Sequence, residues 1–306
     1  MPYWSIVTRS FRIAWDHRYL WLLAVFAGEG GGGFSFSYSQ GYSGNGSPNG
    51  APNIAAMQQH AATWVSQHAG LLFAAAVLLV LLAVALFVLA AACEGALVRA
   101  SAEHDAERPF HLSWAWLSGR ATLGLIIRFR LLLIALALPA FVVTFALVFA
   151  FVFAIVDHAV ALAVILGIIG FFVVLLVVVY AIYLGFLDRL GTRAAVLEQV
   201  GARAAIVRGH RLLRARLGRV LLVWLLWIAV SFGVGIAVGI VAAIAAIPLI
   251  VGVIGLFAGG SSGWWGLIVI GLLIEIPVAL VVAGFAGAQS STYWTLAFRR
   301  LEIDQV

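Results

Sequence analysis

Glu275 is the residue whose position most clearly suggests chemistry. It lies well inside an apolar segment, in the stretch GLLIEIPVAL, two residues before Pro277. A charge at the bilayer centre costs roughly 2.5–3.5 kcal/mol on insertion scales, so an intramembrane carboxylate is a functional hypothesis by default. No arginine lies inside an apolar run to pair with it.

Two interpretations of Glu275 follow. A neutral Glu275 could join helices by donating to the carbonyl of Leu273, which Pro277 leaves without its usual helical donor, or to a side chain on a neighbouring helix. The candidate partners on other helices are Ser231, Thr144, Tyr180 and Tyr183. Alternatively, Glu275 forms a proton or cation site. We favour the structural interpretation because polar residues are sparse within the apolar runs.

The remaining chemistry-bearing residues form no recognisable motif. His60, His68 and Asp157 could be grouped outside the membrane, but they lack i, i+4 spacing, and no H-E-x-x-H occurs. The single cysteine, Cys93, cannot form an internal disulfide. GEGGGG lacks the Gly-Lys-Ser/Thr of a phosphate loop, and no G-x-S-x-G is present. We expect no catalytic residues, no cofactor and no metal, and a protein that is not an enzyme.

The elements that position these residues follow from composition. The chain of 306 residues is 64% hydrophobic and 10% charged, whereas soluble proteins are roughly a quarter charged. Its long uncharged runs are typical of membrane-spanning helices, which satisfy their own backbone hydrogen bonds in hydrocarbon. We predict an all-α fold, a polytopic transmembrane helix bundle of about six spans. The predicted spans are residues 11–27, 70–93, 131–156, 159–187, 220–248 and 264–288.

The N-terminal segment allows two interpretations. It is either a retained helix, with Arg12 and Arg18 reaching the interface, or a signal peptide cleaved before Gly28. We favour the helix, because aromatic and aliphatic residues already precede the short apolar stretch. The Gly/Ser-rich residues 28–53 then form a flexible external loop.

The run from Val220 to Ala258 is too long for one perpendicular span, since it would reach about 58 Å as a helix. Pro248 predicts a kink or a short re-entrant turn. The run also contains a small-residue ridge, Gly235-xxx-Gly239-xxx-Ala243, and Ala283-xxx-Gly287 forms a second one. Such ridges favour close helix packing, which we expect within the chain.

The arginines predict the topology. All eighteen basic residues are arginines, and they fall in four segments: the N-terminus, residues 97–130, residues 189–219 and the C-terminus. The positive-inside rule places these segments, and both termini, in the cytoplasm. In a soluble protein a net charge of +6 would raise nucleic acid as a partner. Here it indicates loops that face anionic lipid headgroups, so we expect no nucleic acid.

Arginine-bearing amphipathic stretches precede several predicted spans, and we expect them to be cytoplasmic interfacial helices. In VRGHRLLRARLGRVLLVWLL, apolar residues share one face. Arg208, Arg211 and Arg214 are the predicted contacts for lipid headgroups or for an unknown protein partner. Where helices end, Glu94 is predicted to pair with Arg99, and Asp188 with Arg189.

Four stretches carry a resemblance to a known family. They are FRIAWDHRYLWLLAVFAG, CEGALVRASAEHDAERPFHLSWAWLSGR, RAAVLEQVGARAAIVRGHRLLRAR and SSTYWTLAFRRL. In hydropathy and loop style, nearly the whole chain resembles the membrane domain of glycerophosphoryl diester phosphodiesterases and its stand-alone, six-helix prokaryotic relatives. The catalytic domain of those enzymes has no counterpart here. The resemblance implies a multi-pass protein of a prokaryotic cytoplasmic (inner) membrane, with no catalytic residues to carry over.

Two functions are compatible with the sequence. The first is a non-enzymatic membrane protein, that is, a scaffold, an accessory subunit or a lipid-interacting protein. The alternative is a small-molecule or ion transporter with a midplane site near Glu275, since interrupted helices often build such sites.

Overall fold

The computed structural model describes residues 3–28, 63–157, 159–258 and 263–303. Within these ranges every regular element is a helix, which confirms the predicted all-α class. The helices are α1 (Trp4–Asp16), α2 (Tyr19–Ala27), α3 (Ala69–Asp105), α4 (Leu112–Val156), α5 (Val160–Leu197), α6 (Ala202–Ala215), α7 (Leu217–Ala245), α8 (Ile247–Phe257) and α9 (Trp264–Ile303).

Five of the described helices, α3, α4, α5, α7 and α9, are long and apolar enough to cross a membrane. The predicted span over residues 11–27 differs from the structure, because the chain breaks at His17 and Arg18 into two helices. The second of these, α2, has nine residues and reaches about 14 Å. That is half of the roughly 30 Å of hydrocarbon, so α2 is too short to cross the membrane by itself.

The buried core lies at one end of the helices. Buried residues come from α1, α2 and α6. The long helices contribute mainly one end each: the second part of α3, α5 and α9, and the first part of α4 and α7. By contrast, at most 6% of each apolar membrane window is buried. We call this region the packed end; it comprises residues 4–27, 91–105, 112–130, 186–223 and 285–301.

The first and last helices of the chain meet in the packed end. Asp105, at the end of α3, accepts from the Arg9 guanidinium at 2.8 Å and from the Arg299 guanidinium at 2.6 Å. The N-terminal helix α1 and the last turns of α9 therefore lie at the same end of the bundle. The Gly/Ser-rich loop predicted over residues 28–53 lies outside the described residues apart from Gly28, which ends α2.

The break that Pro248 predicts lies at Ala246, between α7 and α8. Helix α8 then folds back along the start of α9, and three glycines allow the close approach. A Cβ on Gly271 would lie 2.5 Å from the backbone nitrogen of Leu249. The other two contacts follow the same antiparallel register: Gly252 against Ile268 and Gly255 against Trp264.

Candidate functional site

A run of polar and aromatic residues near the end of α9 holds the packed end together. It is QSSTYWT, residues 289–295, and all seven side chains are buried. Buried polar groups are stable in a protein interior when they are hydrogen-bonded. The partners of this run belong to four other helices, which makes α9 the centre of the assembly.

At least five side-chain hydrogen bonds connect the run to the other helices, and the longest is from Arg193 Nη2 of α5 to Ser291 Oγ, at 3.5 Å. Trp227 Nε1 of α7 donates to Ser290 Oγ at 3.1 Å, and Tyr293 donates to the carbonyl of Val223 at 2.8 Å. The other two bonds are Gln289 Nε2 to Ser10 Oγ of α1, at 3.3 Å, and Ser101 Oγ of α3 with Thr292 Oγ1, at 3.0 Å.

Two arginines of α5 lie against this polar run. Arg193 is 2% exposed, and its guanidinium donates to the carbonyl of Arg189 at 3.0 Å. The guanidinium of Arg189 lies 3.9 Å from the centroid of the Trp227 ring and 4.8 Å from that of Trp294. Cation–π contacts of this kind are strongest over tryptophan, so they fix a positive charge beside the hydrogen-bonded tryptophan.

A cleft of about 450 Å³ lies between α7 and α9. Its walls are mostly small or β-branched residues, and its polar groups lie at the end nearest the packed end. The lining residues are Trp227, Ser231, Val234, Gly235, Val238 and Ala242 of α7, and Val278, Ala279, Val282, Ala283, Ala286, Gln289 and Ser290 of α9.

The small-residue ridge of α7 does not bring helices into close contact, contrary to the prediction. A Cβ added to Gly235 or to Gly239 would meet nothing within 4 Å. The reason is that α7 and α9 stand apart at this level, and Gly235 and Ala283 line the cleft instead.

Glu275 is not one of the lining residues, but it lies one helical turn before Val278 and Ala279 and so on the same face of α9. It is half-buried, and its Oε2 is shielded without a hydrogen-bond partner among the described residues. None of the predicted partner side chains binds it. Ser231 lines the cleft, and the other three donate or accept elsewhere: Thr144 with Ala140, Tyr180 with Leu136 and Tyr183 with His210.

The ion pair predicted for Glu94 has a different partner. Glu94 is 3% exposed and binds Arg130 of α4, whereas Arg99 pairs with Glu103 one turn along α3, at 3.1 Å. The difference arises because α4 packs along α3 and brings an arginine to the buried side of Glu94. Arg99 was the predicted partner because it is close to Glu94 in sequence, but it lies on the outer side of α3.

The three arginines predicted as headgroup contacts on α6 have two different environments. Arg208 bridges two carboxylates, Glu198 at 3.3 Å and Glu302 at 3.1 Å, so it joins α6 to the end of α9. Arg211 and Arg214 are exposed, and within the described part of the chain no ion pair is formed by either. The opposite face of α6, which includes Leu212 and Leu213, is buried.

Two histidines stack where α1 meets α3. The rings of His17 and His104 have centroids 3.6 Å apart, and His104 Nε2 lies 2.5 Å from the hydroxyl of Tyr19. His104 is in the last turn of α3, about three turns beyond the apolar run that ends at Cys93. Burial and the neighbouring His17 together lower the pKa of His104 to about 4.

No cluster of three or more His, Cys, Asp or Glu side chains suited to a metal occurs in residues 3–28, 63–157, 159–258 or 263–303. His60, which the sequence allowed in such a cluster, lies outside these ranges.

The sequence reasoning missed the hydrogen-bonding role of residues 289–295 and the cleft beside them. The available signal was the length of the run: seven consecutive polar or aromatic residues directly follow an apolar span. A solvent-exposed helix would alternate polar and apolar faces, so such an unbroken run indicates a helix that has neighbours on several sides.

The fold and this arrangement define a multi-pass helical membrane protein. The chain belongs to DUF7544, a family of unknown function whose model matches residues 7–296. No curated protein and no solved structure matches it. The family match provides no link to glycerophosphoryl diester phosphodiesterases.

Proposed function

We propose that this protein is a non-enzymatic, lipid-interacting scaffold of a cytoplasmic membrane. In this proposal the packed end faces the cytoplasm, as the positive-inside rule requires. The outward arginines of α6, Arg211 and Arg214, bind anionic headgroups. The apolar helices extend from the packed end into the hydrocarbon and expose most of their surface to acyl chains.

The environment of the arginines on α6 is the observation that carries this proposal. Arg208 is held by two carboxylates, while Arg211 and Arg214 point away from the buried face. A helix with one buried apolar face and one basic face, at the border of a membrane domain, is suited to the headgroup layer. Each arginine near an anionic surface contributes about 1 kcal/mol of attraction.

The cavities along the apolar helices also favour a scaffold over a carrier. A second cavity of about 460 Å³, between α4 and α5, is lined by apolar side chains apart from Tyr180. Together with the cleft between α7 and α9, it offers little that would replace the hydration shell of a polar solute. Both cavities are suited to hydrocarbon.

A transporter is the second candidate, and one observation favours it. The Oε2 atom of Glu275 is shielded and unpaired in the described part of the chain, and the residue lies on the cleft face of α9. Proton-coupled uptake into vesicles that contain the wild type, and its loss in Glu275→Gln, would support this function. Equal uptake by both proteins would remove it.

The scaffold proposal is tested by lipid selectivity in nanodiscs of defined composition. The protein is reconstituted in mixed phosphatidylglycerol and phosphatidylcholine, and the lipids retained after mild extraction are counted by native mass spectrometry. We expect the wild type to retain phosphatidylglycerol preferentially. The double variant Arg211→Gln/Arg214→Gln should lose about 2 kcal/mol of this preference.

A matched control removes the same charge elsewhere. Arg120 and Arg128 are exposed residues outside α6, so Arg120→Gln/Arg128→Gln lowers the net charge equally. We expect this variant to keep most of the phosphatidylglycerol preference. An equal loss in both double variants would show that net charge, rather than α6, attracts the lipid, and would overturn the proposed contact.

A further inference from the structure

We propose that the cleft between α7 and α9 is a binding site for one acyl chain of a membrane lipid with an anionic headgroup, which lies at the Trp227–Arg189 end. This inference rests on the proposed lipid interaction and gives it a defined, single-lipid site, separate from the arginines of α6.

The cleft has the size and the shape for a hydrocarbon chain. Its volume of about 450 Å³ lies within the roughly 300–1,000 Å³ of small-molecule sites. It follows α7 from Trp227 to Ala242, which corresponds to about 22 Å along the helix. That length exceeds the thickness of one leaflet of the hydrocarbon core, about 15 Å, so an extended chain fits lengthwise.

Small residues leave the space open on both helices. Gly235 contacts nothing within 4 Å of its Cβ position, and Ala279 and Ala283 face it from α9. Small residues at this spacing normally let two helices touch. Here they border an empty volume, which in a bilayer must be filled by hydrocarbon, because an apolar cleft binds water poorly.

The cleft adjoins exposed apolar surface. Phe232 and Ile236 flank the lining residues of α7 and are 72% and 52% exposed. A chain can therefore enter sideways from the surrounding bilayer, without passing through the packed end.

Among the residues that line the cleft, the polar ones lie toward one end, as the structure of a lipid requires: Trp227, Ser231, Gln289 and Ser290. Gln289 and Ser290 follow directly after the apolar run of α9 that ends at Ala288, so they mark the border of the hydrocarbon. Trp227 donates to Ser290 and carries the Arg189 guanidinium over its ring at 3.9 Å. A positive charge at the polar end complements a phosphate rather than a cationic or neutral headgroup.

The test uses a photoreactive lipid and two glycine variants. The full chain is reconstituted in phosphatidylcholine vesicles with a trace of phosphatidylglycerol that carries a diazirine in its acyl chain. We expect illumination to label peptides from residues 227–242 and 278–290. Gly235→Leu fills the cleft and should lower this labelling about tenfold, the effect of about 1.4 kcal/mol in affinity.

Gly233→Leu is the matched control, because Gly233 is also uncontacted but lies on the side of α7 opposite the lining residues. This variant should be labelled like the wild type. Equal labelling of Gly235→Leu and Gly233→Leu, or label confined to other helices, would overturn the site.

Two further outcomes would identify a different occupant and overturn the proposal. Cross-linked dimers that form in wild type and disappear in Gly235→Leu would place a helix of a second copy in the cleft. Equal labelling by the photoreactive phosphatidylcholine analogue would show that the polar end does not select an anionic headgroup.

The experiments distinguish the failure of the headgroup contact on α6 from the failure of the acyl-chain site in the cleft. Loss of phosphatidylglycerol preference in Arg211→Gln/Arg214→Gln with intact cleft labelling would support both sites as distinct. Normal labelling at the cleft with no effect of the α6 arginines on lipid retention would remove only the headgroup contact of α6.

Discussion

At the scale of single residues, Asp105 connects the first helix of the chain to the last. Its carboxylate accepts from Arg9 and from Arg299, and Arg9 also donates to the Asp105 backbone carbonyl at 2.6 Å. Charge-assisted bonds that share one acceptor are stronger than isolated surface pairs. Asp105 therefore stabilises a junction between helices that are almost three hundred residues apart in sequence.

We expect Asp105→Asn to lower the stability of the packed end by about 1–2 kcal/mol, because two guanidinium groups lose a negatively charged acceptor and one carboxylate oxygen is replaced by an amide donor. The measurement is thermal unfolding in detergent, followed by tryptophan fluorescence. The control is Glu107→Gln, since the Glu107 side chain is 85% exposed and its pair with Arg9 spans 3.5 Å. An equal melting temperature for Asp105→Asn and wild type would contradict the role of this carboxylate.

His104 gives the packed end a pH dependence. Burial first, and then the neighbouring His17, lower its pKa to about 4, against about 6.5 for an unfolded histidine. A folded-state pKa below the unfolded value means that the unfolded chain takes up the proton more readily. The stability is therefore fully present above pH 6.5 and is lost as the pH falls toward 4.

We expect the melting temperature of the wild type to fall between pH 6.5 and pH 4, and His104→Gln to flatten that fall because glutamine does not titrate. The control is His210→Gln, since His210 is exposed on α6 and is not among the groups that shift the pKa of His104. The slopes of the three proteins against pH are compared in one detergent. A slope in His104→Gln as steep as in wild type would contradict the assignment to His104.

At the scale of elements, the hairpin of α8 and α9 depends on glycines. The backbone of Leu249 lies against Gly271, and the ring of Trp264 covers Gly255. A backbone atom cannot move aside as a flexible side chain can. Helix α8 is thus held beside α9 by close contact along its length.

We expect Gly271→Ala to destabilise this hairpin by about 1–3 kcal/mol, the usual cost of overpacking. Gly266→Ala is the control on the same helix, because nothing lies within 4 Å of its Cβ position, and alanine even gains up to about 1 kcal/mol in helix propensity. Thermal unfolding of both variants gives the comparison. A melting temperature of Gly271→Ala at or above that of Gly266→Ala would contradict the close contact.

Individual elements differ in how well the sequence predicts them. The apolar runs of α3, α4, α5, α7 and α9 are predictable, since hydrocarbon allows only helices to form there. The break between α1 and α2 was missed, because the apolar YLWLLAVFA directly follows an amphipathic stretch and reads as its continuation. The bonds of Gln289 and Ser290 were missed because tertiary partners do not show in a local pattern.

At the scale of the whole molecule, one packed end supports apolar helices that pack on one another only in pairs, as α4 does on α5 and α8 on α9. Most buried residues lie at the packed end, while at most 6% of each membrane window is buried. Lipid must then cover the surface that neighbouring helices do not. The proposed lipid-interacting role is compatible with this architecture.

Glu275 and the cleft differ in how well the sequence alone predicts them. Glu275 was singled out because an intramembrane carboxylate is costly, and the structure places it on the cleft face of α9. The cleft itself could not be predicted, since Gly235 and Gly239 have the spacing of close-packed helices. Only the separation of α7 from α9 shows that these glycines border space.

The most direct test of the account is native mass spectrometry of the protein extracted gently from its own membrane, with wild type beside Glu275→Gln. We expect anionic lipids to be bound in stoichiometric amounts to both proteins, because the proposed contacts lie at α6 and at the polar end of the cleft, away from Glu275. A polar small molecule bound to the wild type and lost in Glu275→Gln would contradict the scaffold account and identify a transporter.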